Sequence, residues 1–110
     1  MSNQVLLGVV SDVPVGTARQ FEVDGDLIVV VNTTEGMFAL EDRCSHSDVA
    51  LSEGEVDGCL IECWLHGSAF DVRTGIPTSL PAITAVKTYL VSTDTTDPNS
   101  PILITKGTNQ

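Results

Sequence analysis

The chain has 110 residues, enough for one domain, and carries fifteen acidic against five basic residues for a formal net charge of -10. That balance excludes a nucleic-acid binder, because phosphates reward basic surfaces, and it disfavours anionic membranes. No apolar run approaches the ~18 residues of a membrane helix, and three cysteines, an odd number, speak against a disulfide framework.

In chain order the apolar runs are short, rich in Val, Ile and Thr, and separated by turn residues, which predicts an all-β domain. Met1–Gln4 offers no basic residue ahead of the first run, unlike a signal peptide, so the expectation is a cytoplasmic protein. Val5–Val10 reads as a first strand, closed by Ser11–Pro14 and Gly16. Ala18–Val23 and Leu27–Asn32 flank Asp24-Gly25-Asp26, a hairpin turn, and Glu35-Gly36 turns the chain into Met37–Leu40. These four segments are expected to form an antiparallel meander.

From about residue 42 to 82 the character changes. This insert holds all three Cys, both His and the only Trp, and is punctuated by Gly54, Gly58, Gly67 and Gly75. It contains two short strand candidates, Cys59–Cys63 and Ala69–Val72. Strand patterning returns at Val86–Ser92 and Ile102–Thr105, around a polar loop at 93–100, and Lys106–Gln110 is expected to fray. The expected architecture is an antiparallel β base with a loop-rich insert, in a single domain over residues 1–110.

The insert places Cys44-Ser45-His46 sixteen residues before Cys63-Trp64-Leu65-His66. Each half supplies one thiolate and one imidazole. Zinc accepts such a set, and so does a [2Fe-2S] cluster with two Cys on one iron and two His on the other. The alternation of Cys and His within each half favours the cluster, since each loop can then reach both irons. Glycine-rich flanks suit loops that pass close to a cofactor.

These two motifs, with Gly67-Ser68-Ala69-Phe70-Asp71, Thr74-Gly75 and Leu80-Pro81-Ala82, resemble the Rieske fingerprint. The chain looks most like the ferredoxin components of bacterial ring-hydroxylating dioxygenase systems, including those of carbazole-dioxygenase type. The resemblance implies a Rieske fold with a cluster-binding part at about 42–82 and one [2Fe-2S] cluster held by Cys44, His46, Cys63 and His66. Gly67, Ser68, Phe70 and Pro81 would surround it. It also implies a monomeric one-electron carrier, without bond chemistry of its own, between a flavin-containing reductase and a terminal oxygenase.

Rieske proteins of respiratory and photosynthetic complexes add a bridging Cys to each loop, where this chain has Val49 and Leu65, and a Tyr where it has Phe70. Without the bridge and the hydroxyl donor to sulfur, the resemblance implies a potential near the low end of the Rieske range, about −150 mV. Two other readings come from different classes: a fixed Rieske-like small subunit of an assimilatory nitrite reductase, and a zinc-stabilised interaction module.

Cys59 shares strand parity with Cys63 and reads as a small buried apolar residue rather than a ligand. Trp64 reads equally as a shield, a contact or core. Glu41, Asp42, Asp48, Glu53, Glu55, Asp57 and Glu62 crowd the insert, with Arg43 between them, as a solvated acidic surface or a face that steers basic partners.

Overall fold

A computed structural model describes residues 4–23, 25–43, 50–64, 68–78 and 84–105. Within them no α-helix occurs and nine strands form two antiparallel sheets. The strands are β1 (Gln4–Val9), β2 (Thr17–Val23), β3 (Asp26–Thr33), β4 (Gly36–Glu41), β5 (Val56–Asp57), β6 (Leu60–Glu62), β7 (Ala69–Asp71), β8 (Thr88–Ser92) and β9 (Pro101–Thr105). The larger sheet runs β1-β9-β8-β4-β3-β2 and the smaller β5-β6-β7.

The meander is three strands long, not four. β2, β3 and β4 pair in sequence, but β1 crosses to β9 at the far edge, with Val5 opposite Ile104. A 3-10 turn at Val10–Asp12 ends β1, which excludes Val10 from the strand, and it is tied to the 93–100 loop by Val10 N–H to Ser100 O (3.0 Å) and Ser11 N–H to Pro98 O (3.0 Å). Long-range pairing of this kind has no local sequence signal. The β2–β3 hairpin is as expected, with Val23 opposite Asp26 and Gly25 at φ 87°, in the left-handed region that glycine enters without a Cβ penalty.

β3 divides the core. Its run Leu27-Ile28-Val29-Val30-Val31 is continuously apolar, and residues 28–33 are buried. Ile28 and Val30 face one cluster, with Val10, Val13, Met37, Ala39, Ile102 and Ile104. Val29 and Val31 face the other, with Leu40, Leu51, Ile61, Cys63, Phe70, Val72 and Val86. The period-2 alternation of a strand therefore feeds two cores at once. β8 bridges the halves: Thr88 and Tyr89 pair with β4, and Leu90–Ser92 with β9. The second cluster is the one that seats the insert on the base.

Candidate metal centre

The insert is built around the β6–β7 hairpin. Leu60, Ile61 and Glu62 pair with Asp71, Phe70 and Ala69, and Cys63 N–H donates to Ser68 O (2.7 Å), which extends the pairing by one residue. Parity puts Ile61, Cys63, Ser68 and Phe70 on one face, and all four are fully buried, with Ile61, Cys63 and Phe70 in one core with Val29, Val31 and Leu40 of β3 and β4. Phe70 is the largest fully buried side chain and the diagonal cross-strand neighbour of Cys63. Trp64 emerges on the outside, 52 % exposed. It is not core, which removes one of its three readings.

The loop that follows β4 is closed at its feet by a buried carboxylate. Asp42 is 3 % exposed. Its Oδ1 accepts from Ser52 N–H (2.7 Å), and its Oδ2 accepts from Ser52 Oγ (2.6 Å) and Gln20 Nε2 (2.7 Å). Asp42 N–H itself donates to Leu27 O (3.0 Å). This overturns the placement of Asp42 in an acidic surface: three donors satisfy its lone pairs, which is what allows a carboxylate to be buried. Ser52 belongs to a 3-10 turn, Leu51–Glu53, whose Leu51 packs into the same core as Cys63 and Phe70.

This second foot then meets the hairpin. A Cβ on Gly54 would overlap the Glu62 carbonyl oxygen, so only glycine permits the approach, and Glu62 N–H donates to Glu55 O (2.8 Å). β5, which the sequence reading missed, follows at once, its turn into β6 made by Gly58 at φ 60°. Glycine after an apolar-polar pair was the signal that could have revealed it.

A third segment arrives from the other side. Asp71 O accepts from Gly75 N–H (2.7 Å), Asp71 N–H donates to Ile76 O (2.9 Å), and Thr78 N–H donates to Ala69 O (2.7 Å). Glu62 and Ala69 are themselves cross-strand partners. The feet of all three segments thus converge on one rung of the small sheet. Arg73 locks this turn: its Nε and Nη2 donate to the two oxygens of Asp71 (3.0 and 2.9 Å), and its Nη1 reaches Glu35 on the β3–β4 turn (3.3 Å). The guanidinium holds the Asp71 carboxyl below its ordinary range, chiefly through the side-chain hydrogen bond.

Of the residues expected to form the centre, Cys63, Ser68 and Phe70 are brought together on the buried face of the hairpin. Cys44, His46, His66, Gly67 and Pro81 lie outside the described residues, as do Asp48, Val49 and Leu65. They belong to the three segments whose feet converge. Neither Cys59 nor Cys63 is in a disulfide. Cys59 packs partly buried against the core, in line with its reading as an apolar residue. Glu53, Glu55, Asp57 and Glu62 are exposed around the rung. A buried thiol at the end of this hairpin fits an iron–sulfur centre, whose irons take thiolate ligands and, in Rieske centres, imidazole as well.

The model of the Rieske [2Fe-2S] domain matches residues 3–90. The chain is 40 % identical over 86 residues to the ferredoxin component of biphenyl 2,3-dioxygenase from Rhodococcus jostii (strain RHA1), covering 78 % of this chain and 80 % of that one. It is 43 % identical over 82 residues to ferredoxin CarAc of Metapseudomonas resinovorans, covering 72 % and 77 %. Among solved structures, the ferredoxin of carbazole 1,9a-dioxygenase from Nocardioides aromaticivorans IC177 superimposes with a TM-score of 0.84 at 34 % identity, over 96 % of this chain and all of that one. A β base with a buried-cysteine hairpin defines the class, and the chain belongs to the Rieske [2Fe-2S] domain family, with one Rieske cluster as its cofactor. Within that family it is a ferredoxin, an electron carrier rather than an enzyme. The zinc reading gives way to the cluster.

Proposed function

We propose that the protein carries single electrons from a flavin-containing reductase to the terminal oxygenase of an aromatic ring-hydroxylating dioxygenase system, working as a monomer in the cytoplasm. The observation that carries this reading is the contrast between two kinds of structural neighbour. The chain matches separate ferredoxin chains over 94–100 % of their length at 27–34 % identity, one of them from a complex of oxygenase and ferredoxin. It matches oxygenase chains over only about 30 % of their length at 21–22 % identity, which speaks for the fold alone.

Cys44, His46, Cys63 and His66 hold the cluster, within a single domain whose cluster-binding part spans about 42–82. When bound, the cluster accepts one electron and releases it. The surrounding chain keeps one side of the site dry through Phe70, Ile61 and Leu51, and leaves Trp64 at the surface beside it. The exposed carboxylates at Glu53, Glu55, Asp57 and Glu62 make added negative charge less favourable, which lowers the potential, and they attract basic partners.

The test is electron transfer between purified components. The protein should hold two irons and two labile sulfides per chain. Its reduced form should show a low-average-g paramagnetic signal that His46→Ala and His66→Ala abolish. Oxygenase reduction should slow as salt rises, since exposed charges are screened beyond ~8 Å at physiological ionic strength, and slow further in Glu62→Lys. A histidine variant that keeps the signal would overturn the ligand set. A protein that accepts electrons from the reductase but does not deliver them to the oxygenase would overturn the assigned role.

A further inference from the structure

The carboxylate of Asp42 is buried and bound to the other foot of its own loop, a more elaborate arrangement than an acidic residue beside solvent needs. We infer that Asp42 and Ser52 form a clamp that positions the first ligand loop, so that the Asp42 carboxylate is a positioning residue for electron transfer. The inference rests on Cys44 and His46 being ligands.

The geometry is specific. Residues 43–51 leave the end of β4 and return to the 3-10 turn, and both ends of this segment are joined through one side chain. Ser52 offers its N–H and its hydroxyl to the two carboxylate oxygens, at 2.7 and 2.6 Å. Gln20 on β2 adds a third donor at 2.7 Å, which ties the clamp to the main sheet. The clamp therefore refers the loop to two rigid bodies, the β2–β3 hairpin and the Leu51 plug in the core beneath Cys63. Cys44 stands two residues beyond Asp42 in the chain and His46 four. A rigid foot is the nearest means of fixing the first pair of ligands relative to the second, and electron-transfer sites depend on such support from the residues behind the ligands.

The deciding variant is Ser52→Ala, which removes one hydrogen bond and leaves every charge in place. Loosening the loop admits water to the cluster edge and favours the more negative reduced form. The expected result is full iron and sulfide content, a broadened paramagnetic signal, and a reduction equilibrium shifted at least twofold toward the reduced state, about 18 mV in a one-electron couple. Ser52→Thr, which keeps a hydroxyl, should restore both readouts. Asp42→Asn should give a larger change or lose the cluster, and should not exceed its own effect when combined with Ser52→Ala, because the two act as a unit. A cluster-loaded Ser52→Ala protein with parental potential and line shape, however much lower its melting temperature, would overturn the clamp. If Asp42→Asn fails to fold, the Ser52 pair still decides. Signal retained in His46→Ala would instead sink the ligand reading on which the clamp rests.

Discussion

Replacing Phe70 with Tyr adds one oxygen to the most deeply packed ring of the molecule. Phe70 has no exposed surface and lies on the same buried face as Cys63 and Ser68, diagonal to the cysteine across the β6–β7 pair. A hydroxyl placed there cannot reach bulk water, so one of two outcomes must follow. If it finds the thiolate or a sulfide, it donates a hydrogen bond that is stronger to the reduced cluster, which carries one more negative charge. A difference of ~1 kcal/mol between the two states shifts a one-electron couple by about 40 mV, since about 1.4 kcal/mol corresponds to 59 mV. If it finds no acceptor, the variant loses about 1–3 kcal/mol of stability from a buried unsatisfied group and the potential stays where it was. The expected outcome is the first: a midpoint potential raised by tens of millivolts with little loss of stability. Voltammetry at one pH, paired with denaturant titration of the same two proteins, separates the cases. An unchanged potential together with a loss in the 1–3 kcal/mol range, in a protein with full iron content, would refute the geometry. The expectation of a low potential would then rest on net charge and solvent exposure instead.

Other outcomes follow from the same packing. Cys59→Ser should keep the iron, the sulfide and the paramagnetic signal, while lowering stability by about 1 kcal/mol for a polar atom set against the core; loss of the cluster would make Cys59 a ligand. Gly75→Ala should lower the melting temperature more than Gly16→Ala does. Both glycines have positive φ, 79° and 86°, but only at Gly75 would a Cβ overlap a backbone oxygen, that of Val86, whereas at Gly16 it meets nothing; equal effects, read by thermal unfolding, would show that the third segment is not held there. The Asp71 carboxyl is held below its ordinary value by Arg73, so the unfolded chain binds the proton first as pH falls. Its contribution is complete above the ordinary carboxylate pKa of about 3.9 and is lost as pH drops through the lower folded value. Arg73→Gln should therefore be less stable than the parent at pH 6 and converge on it in strong acid, and a gap between the two that does not narrow on acidification would contradict the pairing.

By itself the sequence determined the chemistry and most of the strands. Ligand type and spacing are local, so Cys44-Ser45-His46 and Cys63-Trp64-Leu65-His66 predict a thiolate–imidazole centre without reference to any fold. Hairpins are local too, and the Gly25 turn and the Val-rich strands were legible because propensity and turn residue agree there. Only the tertiary structure decided what depends on meetings across the chain. β1 leaves the meander for β9, where Val5 and Leu7 pack partly buried against the core of Ile102 and Ile104, which no window of neighbouring residues records. β3 is buried on both faces, although its unbroken run of five apolar residues carried that information. Asp42 looked like one carboxylate among many, and it is a clamp only because Ser52 and Gln20, ten residues on and twenty-two back, bring three donors to it. A buried charge is tolerated where its hydrogen-bond partners have been assembled, and that assembly is a property of the fold.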